Sequence, residues 1–221
     1  KIEGRICVLV LAYSILSRLK KTKEANEALR ELTSLTETEA QFFLPNLKAL
    51  NARTALFDGD KAAARKWLGE YFVIDTNRVE LFRVYQHFTT ARAYIALGNT
   101  EKAEAYLAML RSYGKEFRRP LDEGEALALT AALKMALGDK KNAVSYLETA
   151  LELLQPYGFT RIFADEGASL LPIVKRISAK IEKSDYTGPL KRTYLLETTL
   201  ACHAFAKDHQ GVTCLLYTSD A

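Results

Sequence analysis

One spacing constrains this chain more than any other property: a set of side chains that returns every 39 or 40 residues. ALGNTEKAEAYL (96–107) and ALGDKKNAVSYL (136–147) superpose without a gap at an offset of 40. Two earlier copies share the frame, GDKAAARKWL from Gly59 and KKTKEANEAL from Lys20, each opening 39 residues before the next turn. Five residues after the turn, all four copies have alanine: Ala25, Ala64, Ala103 and Ala143. Nine after it comes leucine, at Leu29, Leu68, Leu107 and Leu147, and eight after it Ala28, Trp67, Tyr106 and Tyr146. Seven before it stand Ala52, Ala91 and Ala131, with Tyr13 in the first copy.

Between these marks apolar residues recur three and four apart, the helical period, and no run alternates as a strand would. Small residues on both helices of a pair let the backbones approach, while leucines and aromatics fill the space to the next pair. Glycine at the turn ends the first helix in a left-handed conformation. This pattern predicts an all-α chain, a right-handed superhelical solenoid of tetratricopeptide-like (TPR-like) antiparallel hairpins, each longer than the usual 34-residue unit. The hairpins are placed at about 3–37, 39–72, 78–117 and 121–156, with an extra C-terminal helix pair near 169–183 and 189–208. With no composition break, residues 1–213 read as one unit.

Composition narrows the class. Of 221 residues, 48% are hydrophobic and 26% charged, which excludes wholesale disorder. The net charge of +4 is mild, and the basic groups Arg18, Lys20, Lys21, Lys23 and Lys115, Arg118, Arg119 have acids close by, as solvated helix ends do. Three cysteines give no disulfide framework and fit a reducing, cytoplasmic setting. Residues 6–16, ICVLVLAYSIL, are too short to span a bilayer and are assigned to a buried helix, so no membrane partner is expected. Cys7 is expected to be buried there. A start at Lys1 suggests that this is not the true amino terminus.

YGFTRIFADEG (157–167) follows the fourth hairpin. Thr160–Phe163 is expected to run extended. Asp165 and Glu166 are expected to sit just before the next helix, where orphan amides favour acids, with Ala168 or Ser169 as its cap and Pro172 in its first turn. Neighbouring acids point apart and make a poor acid/base couple. Cys202, His203 and His209 lack a second ligand pair for a metal, His87 reads as a packing residue, and no nucleophile–base arrangement stands out. No catalytic residue is assigned and no enzymatic activity is expected.

Candidate binding residues come from the repeat frame. First helices line the concavity of such hairpins, and the inward positions lie thirteen and six before each turn: Asn46 and Arg53, Tyr85 and Arg92, and Glu125. Two arginines, an aromatic and an amide could hold a sugar, a phosphorylated metabolite or an acidic peptide. The alternative is a set of solvated helix-face residues.

The stretch from Leu127 to Ile177 resembles the end of the TPR-like sensor arm of MalT-type, LuxR-family transcription regulators. The matching residues are Ala136, Leu137, Gly138, Asp139, Ala150 and Leu151, then Gly158, Phe159, Arg161, Phe163, Asp165, Glu166 and Gly167, then Leu170 and Leu171. Pro172 departs from the family, which places proline nearer Gly167. The resemblance implies an arm that receives a small-molecule inducer or a regulatory protein, with self-association in the full-length protein. ATP is expected only in a separate N-terminal P-loop module, and DNA contact only through a C-terminal helix-turn-helix domain, neither of which this sequence contains. The other reading is a free-standing scaffold that grips partner peptides in its groove. CLLYTSDA (214–221) resembles the translated read-through of a sequencing-library adapter, so native sequence is expected to stop near Thr213.

Overall fold

The computed structural model describes residues 1–70, 79–183 and 186–217. These form α1 (Ile2–Arg18), α2 (Thr22–Thr38), α3 (Leu44–Phe57), α4 (Lys61–Glu70), α5 (Val84–Ala96), α6 (Thr100–Glu116), α7 (Pro120–Ala136), α8 (Lys140–Leu154), α9 (Arg161–Asp165), α10 (Gly167–Ile181) and α11 (Arg192–Ala206). No strand occurs among the described residues. The chain is all-α, built of TPR-like helix pairs. The sequence reading put one end of the second hairpin at Phe72 and one end of the third at Arg78; both lie outside the described residues, as do residues 218–221.

The turns show why the repeat is cut where it is. Gly59, Gly98 and Gly138 adopt φ of +88°, +75° and +85°, the left-handed region that glycine enters without steric cost. In the first copy Lys20 takes the same position at φ +56°. The next residue caps the following helix: the Asp60 carboxylate accepts from Ala62 N–H at 2.8 Å, Asn99 from Lys102 N–H at 3.4 Å and Asp139 from Asn142 N–H at 3.2 Å. Lys21 provides no such cap.

Contacts gather the chain into two compact units, Lys1–Asn51 and Ala52–Ala221, divided inside α3 at a point where the repeat shows no break. In the first unit α1 packs on α2 around Ile6, Leu9, Ala28, Leu32, Leu35, Ala40 and Leu47. Residues 6–16 do form a helix, but it is not buried all round: Val8, Leu11 and Ile15 are exposed, and so is Cys7. The reason is one-sided cover, since only the Ile6–Leu9 face meets the core.

The second unit stacks its helices in order, α5 on α4 and α6, α7 on α6 and α8, then α10 on α8 and α11 on α10 and α9. All the marker alanines of this unit are buried. Trp67 is buried too, and its Nε1–H donates to Thr90 Oγ1 at 2.9 Å, tying α4 to the first helix of the next pair. Further along, Leu147, Leu151, Leu154, Phe163, Leu170, Val174, Ile177 and Tyr194 form one core from α8 to α11.

After α8 the structure corrects two expectations. Gly158 is left-handed at φ +65°, but Thr160–Phe163 is not extended: Arg161–Asp165 is a short helix whose Ile162, Phe163 and Ala164 are buried. α10 then starts at Gly167, before Ala168 and Ser169, so Pro172 lies inside the helix rather than in its first turn. The Glu166 side chain makes no cap bond.

Lys20→Gly should raise stability by about 1 kcal/mol, whereas Gly138→Ala should lower it by about 1–2 kcal/mol, because the left-handed cost changes sign between them. Thermal unfolding followed by far-UV circular dichroism checks both. A loss on Lys20→Gly would contradict the turn assignment.

Candidate functional site

Four of the five predicted positions meet. Arg53 near the end of α3, Tyr85 and Arg92 on α5 and Glu125 on α7 converge in the second unit, and Asp165 and Glu166 join them at the α9–α10 junction. Asn46 belongs to the first unit, half-buried near the start of α3.

The geometry is a chain of ion pairs. Arg53 Nη2 lies 2.9 Å from Glu125 Oε1 and 3.6 Å from Asp165 Oδ2. Arg92 Nη1 lies 2.8 Å from the same Glu125 oxygen, and Arg92 Nε donates to Glu166 Oε1 at 2.8 Å. Arg161 Nε donates to Asp165 Oδ1 at 2.5 Å. The other Glu166 oxygen accepts the Val212 N–H at 3.1 Å. The Arg53 guanidinium stands 5.2 Å from the centre of the Tyr85 ring and 5.9 Å from that of Phe57, within cation–π range.

Burial turns this arrangement into a constraint. Arg92 is 0% exposed and Glu166 1%. Moving such ions out of water costs several kcal/mol each, and a pair at 2.8 Å returns roughly 6 kcal/mol of attraction at an effective dielectric of 20. The pairs therefore hold only because each buried charge has its counter-charge in place. Burial pushes the Glu125 carboxyl up, but the Arg53 and Arg92 guanidiniums beside it prevail and hold it below the usual carboxylate range. Burial also pulls the Arg53 guanidinium down, and Glu125, Tyr85, Asp165 and Glu166 together hold it above its ordinary value. For Tyr85, burial raises the phenol despite both arginines. One donor is left over: Arg92 Nη2 is buried with no hydrogen-bond partner.

Asp165 and Glu166 do stand just before α10, but instead of capping it their side chains pair with Arg53 and Arg92 of earlier repeats and, for Asp165, with Arg161 as well. One sequence clue pointed this way. Arginine recurs six before the turn in two successive copies, Arg53 and Arg92, and two buried cations need more carboxylate than Glu125 supplies.

Gly167 completes the junction. A Cβ there would run into the Cys202 carbonyl oxygen, so only glycine lets α10 approach α11 this closely. The Cys202 thiol donates to Phe163 O at 3.3 Å, and the Tyr194 hydroxyl donates to Phe159 O at 2.6 Å, fixing α11 against the α9 segment. His87, on α5, is fully buried, with neither ring nitrogen hydrogen-bonded; burial first, and Arg83 next, depress its pKa and keep it neutral.

Arg92→Met should destabilise the chain by about 3–5 kcal/mol, because Glu125 and Glu166 lose a buried partner. Adding Glu166→Gln should cost less than the sum of the single changes, with a coupling of about 1 kcal/mol or more in a denaturation cycle; strict additivity would disprove the pairing. Acid titration gives a further check. The folded Glu125 pKa lies below the unfolded value of about 4.3, so its stabilisation is fully present above that pH. The stabilisation disappears as pH falls through the lower folded value. Glu125→Gln should remove that part of the acid transition.

The sequence matches a family model described as MalT-like TPR region over residues 7–180. No solved structure matches it. Regions of this type serve interaction with a protein or a ligand. The match takes in α2 to α9 whole, the four converging positions and the Asp165–Glu166–Gly167 junction, and it spans well over half of the sequence: the chain belongs to the MalT-like TPR region family.

Proposed function

We propose that the chain is the ligand-sensing, protein-interaction arm of a MalT-like, LuxR-family transcriptional activator in the bacterial cytoplasm. In such a protein a separate module holds ATP and a helix-turn-helix domain meets DNA; the arm has no catalytic role. Its inputs are a small-molecule inducer or a regulatory protein, and its output is a change in self-association of the full-length protein.

Beyond family membership, one observation carries this reading: Arg53, Tyr85, Arg92 and Glu125, contributed by three successive first helices, share one network of buried charges with Asp165 and Glu166. A ligand acid, whether sugar acid, phosphate or acidic side chain, has two guanidiniums to engage, both already paired, with only Arg92 Nη2 left over. Whether it takes the place of a carboxylate or adds to the network at Nη2, occupancy changes how α3, α5, α7 and the α9–α10 junction are held together. A difference in affinity between two such arrangements is all that a sensor requires.

Thermal-shift screening of oligosaccharides and phosphorylated metabolites against the intact chain tests this. A true ligand at a hundred times its Kd adds about 2.7 kcal/mol, a rise of roughly 5–11 °C in Tm for a chain of this size. Arg53→Lys and Tyr85→Phe, which keep charge and ring, should weaken the shift at least tenfold in ligand concentration. A stabilising compound that acts equally on both variants and the parent would place the site elsewhere.

A further inference from the structure

Beyond α11 the chain turns back across its own second unit. Phe205 packs edge-on against Phe57 with ring centres 5.3 Å apart, and His209 stacks 4.3 Å from Phe205. Gln210 N–H donates to Phe57 O at 2.9 Å. Gly211, Val212 and Thr213 are buried, and the 3-10 turn Val212–Tyr217 packs on α5, α7 and α10. Val212 N–H donates to Glu166, and the Thr213 hydroxyl donates to Ser169 Oγ at 2.7 Å. A Cβ on Gly211 would collide with Ser169 Oγ and lie 2.6 Å from Ser169 N.

These contacts read as peptide recognition. Two main-chain N–H groups meet fixed acceptors, one position admits no side chain, the next is an enclosed apolar site and the third offers its hydroxyl to an acceptor. Main-chain bonds supply affinity and the side-chain positions supply selectivity, the division of labour common in peptide recognition. Apart from the Phe205 ring, which α11 carries, these contacts come from one short contiguous segment, so another peptide can supply the same groups. An empty groove would leave a buried Glu166 oxygen without its donor, which favours exchange of occupants over vacancy.

We propose that residues 207–213 are a displaceable internal ligand. The surface of α5, α7 and α10 is then a peptide groove whose partner is a protein segment in which a glycine, a β-branched apolar residue and a threonine or serine lead into a tight turn. The proposal rests on the sensor-arm reading and names an occupant for it. Because the resident contacts the carboxylate paired with Arg92, exchange at the groove reaches the charge network directly.

The test is fluorescence anisotropy with labelled KDHQGVT peptide on the intact chain. The tethered segment competes at an effective concentration near millimolar, so the wild-type chain should bind weakly. Gly211→Val, and separately Val212→Asp, unseat the resident and should tighten peptide binding at least tenfold, while KDHQVVT should bind neither. Equal affinity for wild type and both variants overturns the proposal, as does binding of KDHQVVT. Loss of helical circular dichroism in both variants overturns it too, by making the segment an obligatory part of the core. A wild-type dimer that disappears in Gly211→Val replaces the partner peptide with a second copy and is equally fatal. A metabolite that stabilises the chain, with peptide binding absent, removes the groove and leaves the sensor reading standing; peptide binding without any such metabolite does the reverse.

Discussion

Two guanidiniums withdrawn from water dictate the design of the second unit. Arg92 is fully buried, so Glu125 and Glu166 must stand where they do, and Arg53 extends the demand to Asp165. Each requirement passes to the helix that carries the partner. α7 must present Glu125 inward, α9 must be short enough to bring two acids to its end, and α10 must begin with glycine to reach α11. Apolar packing holds neighbouring pairs together; the charges select one arrangement among the many that such packing permits.

Helical-repeat proteins gain most of their stability from neighbouring units, and a disturbance need not travel far along them. Here the Arg92–Glu166 bond links residues 74 apart in sequence, and the Val212–Glu166 bond spans 46. Both join segments far apart in sequence and so tie helix pairs of the second unit together. Removing a partner at one point of such a network therefore leaves buried charges unpaired on helices far away in sequence.

Much of this was legible in the sequence. The 39- and 40-residue frame located the turns, including the one at Lys20, and the frame positions thirteen and six before each turn brought Arg53, Tyr85, Arg92 and Glu125 to one place. Periodicity reports which face a residue occupies, and that much is local. It could not show that Asp165 and Glu166 reach back to earlier repeats, because adjacency in sequence suggested a helix start and their partners lie more than seventy positions away. Nor could it show that α1 is covered on one side only. Val8 and Leu11 look like core residues in any hydropathy pattern, and their exposure depends on which helices are at hand. Thr160–Phe163 looked extended because a single helical turn has too few residues to display a period.

One consequence lies in the sulfur chemistry. Burial pushes the Cys202 thiol up to about 12, with Asp165 adding to the effect, so at neutral pH only about one molecule in 10⁵ carries the thiolate there. Oxidants and alkylating agents react with thiolates, and the exposed Cys7 and Cys214 are open to them while Cys202 is not. The joint between α9 and α11 is therefore silent to redox change, because the one thiol that helps to hold it stays protonated and out of reach of oxidants.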